Sequence, residues 1–475
     1  MISNELYRAI IRSVTGKFSL YIFQFISLAI YARIFTPKEF GIVASIQVFV
    51  IFFQLLSDVG FGPAIINEDD FSEKKRNGVF SFTLFFGVIL AFVFYSLSPS
   101  ISYFYNGYDY TDISIVISLS IFFSSLSIVP LASLNKDAQF ISIAKVDISS
   151  ELTALFIILI LHGNGTGVIA LASRSAIQSC SRFILLWYFS YNTSIGRPKF
   201  GKEFWYVMSI ASFSSYQLAF NVINYFSRNL DNLLVGKYMG MVPLGIYEKS
   251  YQLMRYPLLI TSFALTPAIQ PILMKKRADV DYVVKEHNFL AKRLIALSSI
   301  IAVFIYTNSD SIVLLLFGEQ WYTVSPIVKI FAISIPFQAV LCTSGAFYQV
   351  MNKPRLLFVS GFIAAIINVS FITYGVLSDS LIKLSISVTC SYCINFIIGY
   401  SILFRFCFKS KVSNFYLELL SGIRTILMPC LIYCLCFYLL SKDIDINLYV
   451  DFVFNITLGL VILFCFRNSI KKSLI

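Results

Sequence analysis

Apolar runs recur along the whole chain, and a run of about 20 such residues crosses the hydrocarbon core of a bilayer as one helix. About 14 of them are legible by length and composition. They lie near residues 14–34, 40–60, 78–98, 113–134, 148–162, 167–189, 212–237, 244–270, 289–308, 325–349, 355–377, 380–404, 420–440 and 448–466. The fifth is short, and prolines break the eighth. The runs are continuous and do not alternate, which excludes a closed β-barrel. The expected fold is an all-α polytopic membrane protein.

Composition agrees. Of 475 residues, 57% are hydrophobic and 13% charged, where a soluble chain carries about a quarter charged. Lys and Arg number 37 against 25 Asp and Glu, a net charge of +12. That excess has a place. Most basic residues fall in loops on one side, among them Lys74, Lys75, Arg76, Lys199, Lys275, Arg277, Lys409 and Lys472, while the other side holds Arg33, Lys38, Lys237, Lys383 and Lys442. The asymmetry orients both termini to the cytoplasm and explains the basic balance without nucleic acid. The first run is too long for a cleaved signal peptide, so it is expected to stay as a span.

Other chemistries find little support. No external loop is long enough for a catalytic domain, and no GxxxxGK[ST] phosphate loop occurs. Cys390/Cys393 and Cys430/Cys434/Cys436 sit in apolar runs, and His162 and His287 are far apart. The cysteines read as small buried hydrophobes rather than metal ligands or redox groups. No cofactor or metal is expected.

An internal repeat emerges at an offset of 204 residues. Arg33 then falls on Lys237, Gly41 on Gly245, Ile42 on Ile246, and Pro63-Ala64-Ile65 on Pro267-Ala268-Ile269. An even number of spans separates the copies, so both halves have the same orientation. Parallel repeats are a transporter architecture with the substrate path between them. The expected organisation is two pseudo-symmetric six-helix lobes, residues 1–203 and 204–411, plus two C-terminal helices in 412–475.

Charge at the membrane centre is costly and faces a protein interior or a wet cavity. Span 7 carries Asn221, Asn224, Arg228 and Asp231 on one helical face. This stripe is either a cavity wall or an Arg228–Asp231 pair that fixes packing. Span 6 carries Arg174, Gln178 and Arg182 four apart, two cations with no acid beside them. They are either contacts for an anionic head group or, for Arg182 above all, a snorkelling cation. Span 8 carries Glu248, Gln252 and Arg255, with Lys249 adjacent and a kink expected at Tyr256-Pro257. Arg255 is a deep candidate for the cavity, whereas Glu248 and Lys249 also suit an interfacial pair. Lys17, Asp58, Glu151, Arg424 and Lys329 lie near span ends, where snorkelling or interfacial pairing is the default. Lys17, at the cytoplasmic mouth, also suits attraction of a phosphate.

The runs Phe35-Thr36-Pro37-Lys38-Glu39-Phe40-Gly41, Asp58-Val59-Gly60-Phe61-Gly62 and Asn229-Leu230-Asp231-Asn232-Leu233-Leu234-Val235-Gly236, with Leu244-Gly245-Ile246-Tyr247, are familiar. They resemble the Wzx-type O-antigen and lipopolysaccharide-biosynthesis flippases of the multidrug/oligosaccharidyl-lipid/polysaccharide (MOP) exporter superfamily. The resemblance implies a two-lobed transporter in the bacterial inner membrane. It would flip an undecaprenyl-pyrophosphate-linked oligosaccharide to the periplasmic leaflet by alternating access. It also implies contact with membrane lipids and with polymerase and chain-length proteins of the same pathway. Embedded Arg174, Arg255, Arg228 and Arg182, with Lys17, suit the anionic pyrophosphate. Asn221, Asn224, Asp231, Gln178, Glu248 and Gln252 are the candidates for a polar cavity lining or ion coupling. A drug/cation antiporter of the same superfamily is the rival, and it would need buried carboxylates. A polymerase of the same pathway is a more distant one.

Overall fold

The computed structural model describes residues 4–58, 61–68, 71–203, 207, 225, 229–263, 266–440 and 448–467. It divides into two compact units, 1–245 and 246–475. Among the described residues the regular structure is helical throughout.

The first unit contains α1 (Asn4–Ile34), α2 (Pro37–Asp58), α3 (Phe61–Asn67), α4 (Glu73–Ser96), α5 (Ser98–Phe104), α6 (Thr111–Leu126), α7 (Ile128–Lys136), α8 (Phe140–Gly163) and α9 (Val168–Phe189). The helix α10 (Met241–Leu258) crosses the boundary at Gly245. The second unit continues with α11 (Thr266–Leu273), α12 (Val280–Leu316), α13 (Val324–Ala332), α14 (Ile335–Val350), α15 (Pro354–Leu377), α16 (Leu381–Ile402), α17 (Val412–Leu440) and α18 (Leu448–Cys465).

Every expected span except the seventh coincides with a helix or a consecutive pair; most of the seventh lies outside the described residues. Among the described residues, eight helical segments are long and apolar enough to cross a membrane, or nine if α13 and α14, bent by 58°, form one span. The helices α8 and α9, which carry the intramembrane charges, are not among those eight.

Local chemistry explains the Phe35–Gly41 motif. Thr36 Oγ1 accepts from the Glu39 backbone N–H at 3.3 Å, and Glu39 Oε2 accepts from the Thr36 N–H at 2.8 Å. This is a reciprocal capping box, with Pro37 at the first helical position, where its missing N–H costs nothing. It starts α2 sharply after the short turn from α1. Inside α2, Ile42, Ile46, Val50 and Phe53 recur at helical spacing and join Leu90, Phe94, Ile113, Ile117 and Ile121 in one apolar core.

In the second unit, Pro257 lies inside α10 and the chain passes into a π turn at Leu259–Phe263. A proline removes one backbone donor, and the ladder widens where it does so. Thr261 Oγ1 donates to the Pro257 carbonyl at 2.8 Å. The expected break therefore exists and has a side-chain patch. Both α17 and α18 pack on α12. There, Asn308 leaves helical geometry and its Nδ2 donates to Tyr433 Oη at 2.8 Å.

Candidate functional site

In the first unit α9 packs against α2, α6, α7 and α8. It presents two polar faces.

One face meets α8. Arg174 Nη2 donates to Glu151 Oε1 at 2.8 Å, and Gln178 Nε2 donates to Glu151 Oε2 at 2.9 Å. Glu151 is fully buried, 0% exposed, while the Arg174 side chain is 28% exposed. The Arg174 guanidinium also stands 5.1 Å from the Tyr31 ring centroid, a cation–π distance. Farther along, Arg182 Nε donates to Asp147 Oδ1 at 2.7 Å. A buried carboxylate is tolerated only when paired and hydrogen-bonded, and Glu151 meets both conditions.

This corrects the expectation that Arg174 and Arg182 have no acid beside them. The acids come from the neighbouring helix. Glu151, expected at a span end, is instead the buried centre of the cluster.

The other face carries Ser179. Its hydroxyl lies 3.1 Å from Ser120 Oγ and 3.3 Å from Ser124 Oγ, and Gln54 Nε2 donates to both of those serines at 3.2 Å. A hydroxyl and amide seam thus runs between α2, α6 and α9. Below it a cavity of about 340 Å³ opens among α2, α3, α6, α7 and Arg182.

In the second unit, Lys249 Nζ lies 3.0 Å from Glu248 Oε2 and donates to Gln252 Oε1 at 2.9 Å. Lys249 is buried and is the hub of this trio. Arg255, two turns along α10, is exposed, and among the described residues it has no ion-pair partner. Lys329, expected near a span end, pairs with Asp310 at 2.6 Å.

Asp231 is buried and its Oδ1 accepts from the Asn232 N–H at 2.9 Å. Its sequence companions Asn221, Asn224 and Arg228 lie outside the described residues. Lys17 is exposed on α1. The structure thus brings Arg174 and Gln178 together, and separately Glu248 and Gln252. Sequence reasoning passed over Tyr31, Asp147, Gln54 and Ser179. The nine cysteines are free, and no group of three or more His, Cys, Asp or Glu that could hold a metal occurs among the described residues.

Long apolar helices with matched charges buried between them define a membrane transport protein of many spans. The chain belongs to the polysaccharide biosynthesis protein family, whose profile matches residues 30–326. It is 23% identical to the teichuronic acid biosynthesis protein TuaB of Bacillus subtilis over 71% of this chain and 69% of that one. Its fold is similar to the lipid II flippase MurJ in an inward closed conformation, with TM-score 0.78, 15% identity, and 98% and 99% of the two chains covered. It is also similar to an inward-facing multidrug resistance MATE family transporter of the MOP superfamily, with TM-score 0.65, 10% identity, and 84% and 95% covered.

Proposed function

We propose that this protein is a flippase for a polyprenyl-diphosphate-linked oligosaccharide. The observation that carries the reading is the family match over residues 30–326. A fold shared with a lipid II flippase along nearly the whole chain supports it. The cargo's head and glycan cross a wet path while its hydrocarbon tail stays in the bilayer.

In this reading two six-helix lobes, 1–203 and 204–411, alternate access between the leaflets, and 412–475 is an addition. Both termini lie in the cytoplasm of a bacterial inner membrane, and the cargo leaves toward the periplasm. Pathway polymerase and chain-length proteins would receive it there. Arg255 is the leading contact for the diphosphate, because its charge is unanswered among the described residues. Arg174 and Arg182 contribute less free charge, since Glu151 and Asp147 already answer them.

For a drug antiporter, Glu151 and Asp147 are not available carboxylates, since Arg174 and Arg182 engage them.

The test is reconstitution. Vesicles containing the purified chain should expose a head-labelled polyprenyl-diphosphate oligosaccharide to an outside quencher with time, faster than protein-free vesicles. Equal rates in the two preparations would remove the proposal.

A further inference from the structure

The cavity of about 340 Å³ in the first unit lies where α2 ends and α3 begins. Its lining is polar and of mixed character. Gln54, Asp58, Ser124, Ser127, Asn135 and Arg182 reach it from four separate helices. It sits at the unit's basic end: Lys75 pairs with Glu68 at 2.6 Å, and Lys136 donates to the Ile65 carbonyl at 3.4 Å. Charge asymmetry assigns that end to the cytoplasm. Arg182 lies about 10 Å inward from the end of α9 at Phe189, at 1.5 Å per residue.

The hydrogen-bonding capacity that faces this space is largely unused. Among the described residues, nothing bonds the Asn135 side-chain amide or Gln54 Oε1. Arg182 spends Nε on Asp147 and keeps both terminal amines. Ser127 donates to the Phe123 carbonyl at 2.8 Å and keeps its lone pairs. Asp58 brings the acceptor sites of its carboxylate. The cavity therefore presents donors and acceptors side by side.

Its charge decides between ligands. Asp147 answers Arg182, and Asp58 adds a negative charge. A diphosphate would meet no surplus cation here and one repelling carboxylate. A sugar ring is uncharged, and each of its hydroxyls both donates and accepts, which suits carboxylate, amide and hydroxyl partners. The volume is at the low end for small-molecule sites, about 300–1,000 Å³, and fits one ring rather than a whole oligosaccharide.

We infer that this cavity is a carbohydrate subsite that holds one pyranose ring of the cargo's glycan on the side from which the cargo enters. The inference rests on the flippase reading and adds a separate place for the sugar, apart from the diphosphate.

Saturation-transfer NMR on the purified full-length protein tests it, with methyl glycosides of glucose, galactose and N-acetylglucosamine as probes. Ring protons of at least one glycoside should receive saturation, and inorganic pyrophosphate should not displace it. Asn135→Ala and Gln54→Leu should each weaken binding by about tenfold, the loss of one or two hydrogen bonds. No transfer to any glycoside, displacement by pyrophosphate, or unchanged binding in both variants overturns the subsite. The wild-type measurements stand even if a variant folds poorly. The same preparation is assayed for flipping in vesicles. Flipping without glycoside binding sinks the subsite alone, and glycoside binding without flipping sinks the flippase reading instead.

Discussion

Gly41 and Gly245, 204 residues apart in the chain, lie backbone against backbone. A Cβ added at Gly41 would fall 1.7 Å from the Met241 carbonyl oxygen and 3.1 Å from the Gly245 nitrogen; one added at Gly245 would fall 2.0 Å from the Pro37 carbonyl oxygen. The glycines at the starts of α2 and α10 thus permit a close approach that no larger residue allows. The capping box at Thr36 and Glu39 holds the α2 side of that contact. Two of the sequence motifs therefore meet in one place.

Gly41→Ala and Gly245→Ala should each destabilise by about 1–3 kcal/mol, since backbone atoms must move to admit a methyl group. Gly361→Ala on α15, where a Cβ meets nothing within 4 Å, is the control and should be neutral or slightly stabilising. Thermal unfolding in detergent reads all three. Equal unfolding temperatures for Gly41→Ala and Gly361→Ala would refute the close approach.

The Arg174–Glu151 pair predicts an order of damage. Arg174→Ala strands a fully buried carboxylate and should cost about 3–5 kcal/mol. Glu151→Ala leaves a cation that is already part-exposed, and it should cost less. The double variant Arg174→Leu/Glu151→Leu should recover most of the stability. A double-mutant cycle on unfolding, run beside vesicle transport, separates packing from function. A costlier Glu151→Ala would overturn the assignment of Glu151 as the stranded partner.

Arg255→Ala should behave differently. With no ion pair to break among the described residues, abundance and unfolding should match wild type. Transport of the diphosphate-linked cargo should fall about 10–100-fold, the worth of a hydrogen bond to a charged group. Arg255→Lys should recover part of it, because charge remains but the planar fork is lost. Undiminished transport in Arg255→Ala would remove this residue from the path.

Tyr433→Phe removes the acceptor that Asn308 reaches from the break in α12. The expected cost is about 1 kcal/mol, with transport per folded molecule unchanged. Unfolding at the wild-type temperature would mean that this bond does not hold α17 to α12.

The spans were legible because apolar length is a local property of the chain. The break in α10 was legible for a similar reason: a proline acts on its own turn. Arg174 and Arg182 were misread because their partners belong to another helix. A signal for the pairing did exist. Asp147 and Glu151 are four apart on α8, Arg174, Gln178 and Arg182 are four apart on α9, and the two helices form an antiparallel hairpin. Matching the stripes in reverse order sets Glu151 beside Arg174 and Gln178, and Asp147 beside Arg182. The Glu248–Lys249 pair was named from the sequence, but the Lys249–Gln252 bond was not, because spacing set Lys249 off the Glu248–Gln252–Arg255 face while its long flexible stem reaches both partners. Of the cavity's lining, Arg182 and Asp58 stood out in the sequence, but nothing there joined them, since the serines and amides between them come from separate helices.

The coupled charges of α8 and α9 bear on energetics of another kind. A potential of 100 mV does about 2.3 kcal/mol of work on each net elementary charge that traverses the bilayer. Arg174 with Glu151, and Arg182 with Asp147, are each neutral as a couple. If each couple travels intact, its displacement performs no net electrical work, so the membrane voltage gains no grip on either couple. Any voltage dependence of the transport cycle then has to originate in other charges, or in the cargo itself.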